Sequence, residues 1–283
     1  MLPLFAVALA AALWALAAVI ASDLFDAGVT PFELAEARAV VAMAGLACAP
    51  SSWTTFGRTP WEVLVPFGLA LALVTATYYV AIERLPVAIG VVLQYTAPAL
   101  VVAWTAFVRR RRPSPTVLVS LGAALAGVTL VTGVVGGDLG GLDPLGIAMG
   151  FGAAVFFSAY TLLAERARHG LSATGVMLRG FAVASAFWVV LQIPNGWPTS
   201  LFEVGNLPGV VFVGVGGTLA PFLLYVWAIA RVRAERAAIA ATLEPVLAAL
   251  LAWALLGQTL TAAQLLGGVA VLAAVAILQR RPK

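Results

Sequence analysis

The sequence predicts an all-α membrane protein of about ten transmembrane helices, arranged as two inverted repeats of five helices each. Three observations predict this fold. Of the 283 residues, 63% are hydrophobic and only 10% are charged, whereas soluble domains carry roughly 25% charged residues. Apolar runs follow one another along the whole chain, and a spanning helix takes about 20 such residues. The two halves of the chain also share residues in register.

Each predicted span is an apolar run bounded by charged residues, glycine or proline. The first run has full spanning length and lacks a basic leader segment, so we expect a retained helix and no signal peptide. The second and seventh runs each contain an arginine, Arg38 and Arg179 respectively. The predicted spans are 2–21, 33–48, 61–82, 87–108, 115–133, 144–164, 175–193, 208–229, 236–256 and 262–278.

The charges between the spans support this count. With the N-terminus in the cytoplasm, Arg84 is the one basic loop residue on the outer side, as the positive-inside rule requires. We therefore expect a multi-pass protein of the bacterial cytoplasmic (inner) membrane with both termini in the cytoplasm. The basic residues on the cytoplasmic side are Arg58, Arg109, Arg110, Arg111, Arg112, Arg166, Arg168, Arg231, Arg233, Arg236, Arg280, Arg281 and Lys283. The acidic residues expected outside are Asp23, Asp26, Glu83, Asp138, Asp143 and Glu203.

An internal repeat appears when the chain is shifted by 147 positions against itself. The aligned pairs include Tyr78 with Tyr225 and Pro98 with Pro245. Because five spans are an odd number, the two halves must have opposite orientations in the membrane. We expect repeats over 1–138 and 139–283. Inverted repeats of this kind are typical of transporters, whose substrate sites lie near the membrane midplane between the halves.

The composition also excludes several kinds of site. A single cysteine, Cys48, cannot form an internal disulfide or a cysteine-rich metal site, and His169 is the only histidine. We therefore expect no metal, no cofactor and no catalytic residues. No P-loop is present, so ATP does not drive the protein directly. The net charge of +4 is explained by the loops and does not indicate nucleic acid. The expected partners are a small-molecule substrate and membrane lipid, and the chain fits a monomer or a homodimer.

Three charged residues within the spans are candidates for a functional site. A charge at the centre of a spanning helix costs roughly 2.5–3.5 kcal/mol on insertion scales. Glu244 either contacts substrate or carries a proton, or it satisfies backbone groups freed by the adjacent Pro245. Arg38 and Arg179 either bind a substrate carboxylate, or pair with an acid or extend to an interface.

Polar and aromatic residues inside the spans predict the lining of a substrate cavity, because such pockets are mostly apolar with a few directed polar groups. The predicted lining is Trp14, Tyr78, Tyr79, Gln94, Tyr95, Trp104, Tyr160, Tyr225 and Trp227. Tryptophans near span ends are expected at the membrane interface instead. These are Trp53, Trp61, Trp188 and Trp197. In the eighth span, Gly214, Gly216, Gly217 and Pro221 predict either a hinge or close helix packing.

Several short motifs carry a resemblance to a known family. They are Leu13-Trp14-Ala15 in the first span, the segment 32–38 that ends in Arg38, Leu243-Glu244-Pro245, Leu255-Leu256-Gly257-Gln258 and Leu266-Gly267-Gly268. Over essentially its whole length the chain resembles the EamA-type branch of the drug/metabolite transporter superfamily. It departs from the family pattern at Gln258, where a glutamate is usual, at Ala97 before Pro98, and at 109–112, where arginines replace a Leu-Gly-Glu turn.

The resemblance implies a ten-helix secondary carrier that works by alternating access through a central cavity between the two repeats. It most often implies an exporter of amino acids or related compounds. One alternative is a carrier for drugs, nucleosides or sugars. Another is an intramembrane enzyme, which would need paired acids, a histidine cluster or a Ser–His pair within the membrane; here the one histidine falls in a predicted loop.

Overall fold

The structure of the protein is a computed structural model that describes residues 2–54, 61–134, 142–167, 170–196, 198–256 and 259–279. Its helices are α1 (Leu2–Asp26), α2 (Pro31–Ala47), α3 (Trp61–Arg84), α4 (Val87–Gln94), α5 (Ala97–Phe107), α6 (Pro115–Val131), α7 (Pro144–Ala167), α8 (Ala173–Gln192), α9 (Leu207–Gly214), α10 (Ala220–Val232), α11 (Ala234–Ala241), α12 (Leu243–Leu256) and α13 (Ala262–Gln279). Residues named above that lie outside the described ranges are Arg58, Asp138, Arg168, His169, Trp197, Gly257, Gln258, Arg280, Arg281 and Lys283.

These helices form ten spans, with α4–α5, α9–α10 and α11–α12 each making one span of two segments. Within the described ranges, six spans are long and apolar enough to cross a membrane, and α6 and α13 are shorter apolar helices. The second span, α2, has 17 residues and carries Glu33, Glu36 and Arg38. The predicted fold class, a helical membrane protein built from two inverted five-helix repeats, is confirmed.

Polar caps mark where several spans begin. Thr30 Oγ1 accepts a hydrogen bond from Glu33 N at 3.3 Å, and Glu33 Oε2 accepts one from Thr30 N at 2.8 Å. Ser114 and Ser172 cap α6 and α8 in a similar way. Each cap satisfies an N–H group that has no partner within its helix and that lipid cannot bind. The capped end places the start of α2 at Pro31, slightly before the predicted boundary.

The fourth and ninth spans are broken at equivalent places, which differs from the continuous helices expected over 87–108 and 236–256. In the fourth span α4 ends at Gln94 and α5 begins at Ala97, and in the ninth only Thr242 separates α11 from α12. The cause is the proline just after each break, Pro98 or Pro245, since its missing N–H interrupts the helical hydrogen bonds. The two halves therefore share a bend near mid-membrane.

The eighth span contains one turn of π-helix, Val215–Leu219, between α9 and α10. Pro221 has no N–H to donate to the carbonyl of Gly217 four residues earlier, so this carbonyl is left free for another donor. Glycine is also required for packing here. A Cβ on Gly217 would lie 2.4 Å from the Cβ of Ala17 on α1. Close packing, one of the two interpretations of this glycine-rich segment, is confirmed at Gly217.

Helices of the two halves pack against each other in pairs. The main pairs are α1 with α10, α3 with α7, α2 with α8 and α6 with α13. In the two repeats α1 corresponds to α7, α2 to α8, α3 to α10 and α6 to α13. The pair α1–α10 is therefore equivalent to the pair α7–α3, and each of the pairs α2–α8 and α6–α13 joins two corresponding helices. A pseudo-twofold axis in the membrane plane requires this arrangement. The predicted boundary at 138/139 falls within residues 135–141, which are outside the described ranges.

The two faces differ in charge. At one end of the helix bundle, the basic face, lie the start of α1, the end of α13 and the residues Arg109, Arg166 and Arg231. At the opposite end, the acidic face, lie Asp23 and Asp143. On the acidic face, Arg84 donates to Asp143 at 2.9 Å and ties the end of α3 to the start of α7. This hydrogen bond, and a second one from the Leu145 N–H, hold the pKa of the exposed Asp143 carboxyl below its usual value.

Two tryptophans differ from their predicted roles. Trp188 is only 2% exposed and packs against Phe32 of α2 with ring centroids 5.8 Å apart, so its prediction as an interface residue is wrong. Trp104 is 46% exposed and faces outward from α5, so it is not part of the interior lining. Trp53 and Trp61, each more than 60% exposed at span ends, fit the membrane interface.

Candidate functional site

An aromatic cluster lies where α1, α7 and α10 meet. Its members are Trp14, Phe157, Tyr160, Phe222 and Tyr225, all buried. Ring centroids are 5.2 Å apart for Trp14 and Phe222, and 5.0 Å apart for Phe157 and Tyr160. The helices come from both halves, so the cluster sits at the junction where inverted-repeat carriers place substrate.

One polar atom of this cluster has no partner. Trp14 is 8% exposed, and its indole Nε1 is buried without a hydrogen bond among the described residues. A buried unpaired donor costs about 1–3 kcal/mol. By contrast the hydroxyl of Tyr225 is paired with Thr161 Oγ1 at 3.2 Å. The Trp14 N–H is therefore available to a ligand or water inside the cluster.

Arg38 extends from α2 to the π-helical turn and forms the positive pole of the site. It lies seven residues from the start of α2, about 10 Å deep at 1.5 Å per residue. Its Nε donates to Thr218 Oγ1 at 2.8 Å, and its Nη2 donates to the freed Gly217 carbonyl at 3.3 Å. Its Nη1 makes a long contact of 3.5 Å with the Tyr79 hydroxyl. All of these partners are neutral.

Glu244 forms the negative pole. It stands just after the break between α11 and α12, ten residues from the start of α11, which is about 15 Å and near the middle of a 30 Å hydrocarbon core. Tyr95, at the matching break in the first half, donates its hydroxyl to Glu244 Oε2 at 2.6 Å. The two proline-induced breaks therefore bring these two side chains together.

The aromatic cluster lies between the two poles, since Phe222 is next to Arg38 and Phe157 is next to Tyr95, the partner of Glu244. Arg38, Tyr78 and Glu244 each retain accessible surface although they lie deep within the bundle, as side chains do when they line an internal space. The Arg38 Cζ is 6.0 Å from the ring centroid of Phe222. Tyr160 lies in the same region, with its ring 5.8 Å from that of Phe222.

A cavity, here named the vestibule, opens on the basic face near the cluster. Its volume is about 800 Å³, and Arg109, Arg111, Glu165, Arg166, Ile229, Ala230, Arg231 and Arg233 line it. Arg109 forms an ion pair with Glu165 across its wall. Thr161 and Tyr225 lie one helical turn below the lining residues Glu165 and Ile229. Their hydrogen bond therefore lies between the vestibule and the other residues of the aromatic cluster.

The structure brings most, but not all, of the predicted residues together. Eight of them lie around the aromatic cluster and the two poles: Trp14, Tyr78, Tyr79, Tyr95, Tyr160, Tyr225, Arg38 and Glu244. Gln94 is half-buried at the end of α4, next to Tyr95. Trp227 lies apart: it stacks on Arg231 with 3.7 Å from Cζ to its ring centroid and borders a separate groove with Leu2 and Phe5.

Arg179 also lies away from the cluster. Its Nη1 donates to the carbonyls of Ser52 at 3.2 Å and Gly175 at 3.1 Å. These bonds hold the segment after α2 against the first turn of α8, near the basic face. Arg179 lies as deep in α8 as Arg38 does in α2, but the two arginines have different surroundings.

Sequence reasoning missed four residues of the site: Thr161, Phe157, Thr218 and Phe222. A single phenylalanine or threonine in an apolar span gives no signal of its own. The glycines and Pro221 near Thr218 did mark an irregular turn, and π-helical turns are frequent at functional sites. That signal identifies the turn, but it does not identify Arg38 as the residue bound there.

Comparison with known proteins gives consistent findings. The model of the EamA-like transporter family matches residues 1–133 and again residues 144–280, one match for each half. The threonine/homoserine exporter RhtA of Salmonella typhimurium strain SL1344 is 29% identical over 216 residues, which cover 75% of this chain and 68% of that protein. RhtA of Escherichia coli K12 is likewise 29% identical over 217 residues, which cover 75% of this chain and 68% of that protein.

Two further similarities cover more of the chain. A transporter of uncharacterised function from Archaeoglobus fulgidus is 29% identical over 240 residues, which cover 83% of this chain and 82% of that one. One protein of known crystal structure superimposes with a TM-score of 0.77 at 22% identity, covering 98% of this chain and 97% of the other. At that identity the superposition establishes a shared fold.

Proposed function

The chain belongs to the EamA-like transporter family, and from this premise we propose that it is a secondary carrier that exports amino acids or related compounds. The carrier works by alternating access through the space between the two repeats. The single observation that carries the proposal is the pair of unpaired, opposite charges, Arg38 and Glu244, beside the aromatic cluster. A protein that only needed stability would not retain two such charges inside the membrane.

The vestibule supports export as the direction of transport. It opens on the basic face, which the positive-inside rule assigns to the cytoplasm, with both termini on that side. Substrate from the cytoplasm would pass the vestibule, then the Thr161–Tyr225 hydrogen bond, and reach the cluster. The relatives named as threonine/homoserine exporters support small amino acids as the first substrates to test.

The experiment is uptake by proteoliposomes that contain the purified protein, with a panel of radiolabelled amino acids and with empty liposomes as the control. Uptake of one class, competed by its own unlabelled members, is the expected result. A folded protein that takes up no amino acid would overturn amino acids as the substrate class, and panels of nucleosides, sugars and drugs would follow.

Running the same panel with and without a pH gradient separates proton-coupled transport from facilitated diffusion. If protons are carried by Glu244, the Glu244→Gln variant loses the pH dependence while it remains folded. Unchanged pH dependence in that variant would exclude Glu244 as the proton carrier.

A further inference from the structure

We propose that the space between Arg38 and Glu244 selects amino acids in their zwitterionic form, with Arg38 binding the α-carboxylate and Glu244 binding the α-ammonium group. This inference rests on the proposed function and specifies how that same site recognises its substrate. It also predicts which amino acids are excluded.

The first observation is that each pole lacks a charged partner. Three ion pairs occur among the described residues, and none includes Arg38 or Glu244. Arg38 is held by neutral groups, and Glu244 by the Tyr95 hydroxyl. Two opposite charges in one low-dielectric interior, too far apart to pair directly, stabilise a ligand that carries both complementary charges.

The second observation concerns the donors that remain free. The contact of Arg38 Nη1 with Tyr79 is 3.5 Å long, at the limit for a hydrogen bond, so a carboxylate can replace it. The Nε and Nη2 bonds to Thr218 and Gly217 meanwhile fix the plane of the guanidinium. The Glu244 Oε2 is engaged by Tyr95, which leaves Oε1 to accept from an ammonium group.

The third observation is the wall between the poles. Phe157, Tyr160 and Phe222 lie along one side, with Phe222 near Arg38 and Phe157 6.5 Å from Tyr95. These rings offer contact area and no countercharge for a substrate side chain. A monovalent anion or cation would satisfy only one pole, and an amino acid with a charged side chain would bury that charge unpaired. The site therefore favours neutral amino acids with both backbone charges free.

The test uses proteoliposomes and the labelled neutral amino acid that gives the largest uptake. Three unlabelled competitors are compared: the same amino acid, its methyl ester, which lacks the carboxylate, and its N-acetyl form, which lacks the ammonium group. We expect each blocked form to compete about tenfold or more weakly in the wild type, since hydrogen bonds to charged groups are worth about 1.5–3 kcal/mol.

The variants assign each pole. In Arg38→Gln the ester should compete within about threefold of the free amino acid, while the N-acetyl form remains weak; in Glu244→Gln the pattern should reverse, because each charged contact contributes separately. Arg179→Gln, which changes a half-buried arginine at the equivalent depth in the other half, should retain the wild-type pattern. Melting temperatures of all three variants establish that they are folded.

The outcomes are distinguishable. Uptake of amino acids with both blocked forms competing as strongly as the free amino acid would overturn the zwitterion site and leave the carrier standing. A loss of discrimination that is the same in all three variants would overturn the assignment of Arg38 and Glu244. Absence of amino-acid uptake in the wild type would overturn the proposed function itself. If Arg38→Gln or Glu244→Gln does not fold, Arg38→Met and Glu244→Met, which also remove the charge, replace them, and competition patterns unchanged from the wild type would contradict the proposal.

Discussion

At the scale of single residues, the decisive feature is how Arg38 is held. Its Nε donates to Thr218 Oγ1, whose own proton is donated to the Val213 carbonyl, five residues earlier at the end of α9. The threonine hydroxyl thus acts as a fixed acceptor. The turn, the free carbonyl of Gly217 and this hydroxyl together convert an irregular helix into a binding site for one guanidinium group.

Replacing Thr218 by valine tests this arrangement. The variant preserves side-chain volume but removes the acceptor of Arg38 Nε, so the guanidinium loses its orientation. We expect kcat/KM for uptake to fall about tenfold, as the loss of one hydrogen bond to a charged group implies, with folding retained. Thr129→Val on α6, where the hydroxyl bonds only to its own helix, is the control and should transport normally. Equal losses in both variants would contradict the role of Thr218.

Sequence analysis identified Arg38, Glu244 and Tyr95, but not that Thr218 holds Arg38 or that Tyr95 pairs with Glu244. An arginine or glutamate in an apolar span is conspicuous because its insertion is costly. Thr218 lies 180 positions from Arg38, and Tyr95 lies 149 from Glu244; no local pattern connects such pairs. The same limit explains Arg179, which resembles Arg38 in residue type and depth but binds backbone carbonyls near the basic face.

At the scale of helices, the sequence predicted the spans well and their interruptions poorly. Apolar length determines that a helix crosses the membrane, but Pro98 and Pro245 determine where it bends. Both prolines were visible in the sequence as a repeated feature. The sequence does not show that these two breaks place Tyr95 against Glu244, because that contact depends on how the spans pack.

Close packing of α1 against the π-helical turn gives a prediction at this scale. Gly217→Ala would set a methyl group 2.4 Å from Ala17 Cβ, and overpacking of this kind costs typically 1–3 kcal/mol. We expect a clear drop in melting temperature in detergent. Gly122→Ala on α6 is the matched control, since nothing lies within 4 Å of its added Cβ, and it should be neutral or slightly stabilising. A Gly217→Ala variant as stable as the wild type would show that α1 and the turn do not pack so closely.

The hydrogen bond between α7 and α10 gives a second prediction. Thr161 and Tyr225 join these helices just below the vestibule. Tyr225→Phe removes the bond and leaves the ring in the aromatic cluster. We expect access from the basic face to become easier, seen as faster modification of a cysteine placed at Phe157, one helical turn from Thr161 on the cluster side, in a background where Cys48 is serine. Modification at the wild-type rate would show that this bond does not limit access.

At the scale of the whole molecule, orientation in the membrane is the property on which export depends. The single cysteine, Cys48, is exposed at the end of α2 on the basic face. We expect a membrane-impermeant maleimide to label it in inside-out vesicles and not in intact cells. Val204→Cys in a Cys48→Ser background, at a position 85% exposed on the acidic face, should show the opposite pattern. Labelling of Cys48 from outside the cell would show that the protein has the opposite orientation. The vestibule would then open to the outside, which would contradict export.

Alternating access distinguishes a carrier from a channel, and counterflow in proteoliposomes separates the two. Proteoliposomes are loaded with a high concentration of an unlabelled amino acid from the panel and diluted into a trace of the same labelled compound. A carrier predicts a transient accumulation of label above its equilibrium level, because the site returns inward mainly with labelled substrate as unlabelled substrate leaves. Label that only rises to equilibrium, for every amino acid that enters, would indicate a channel and contradict the account.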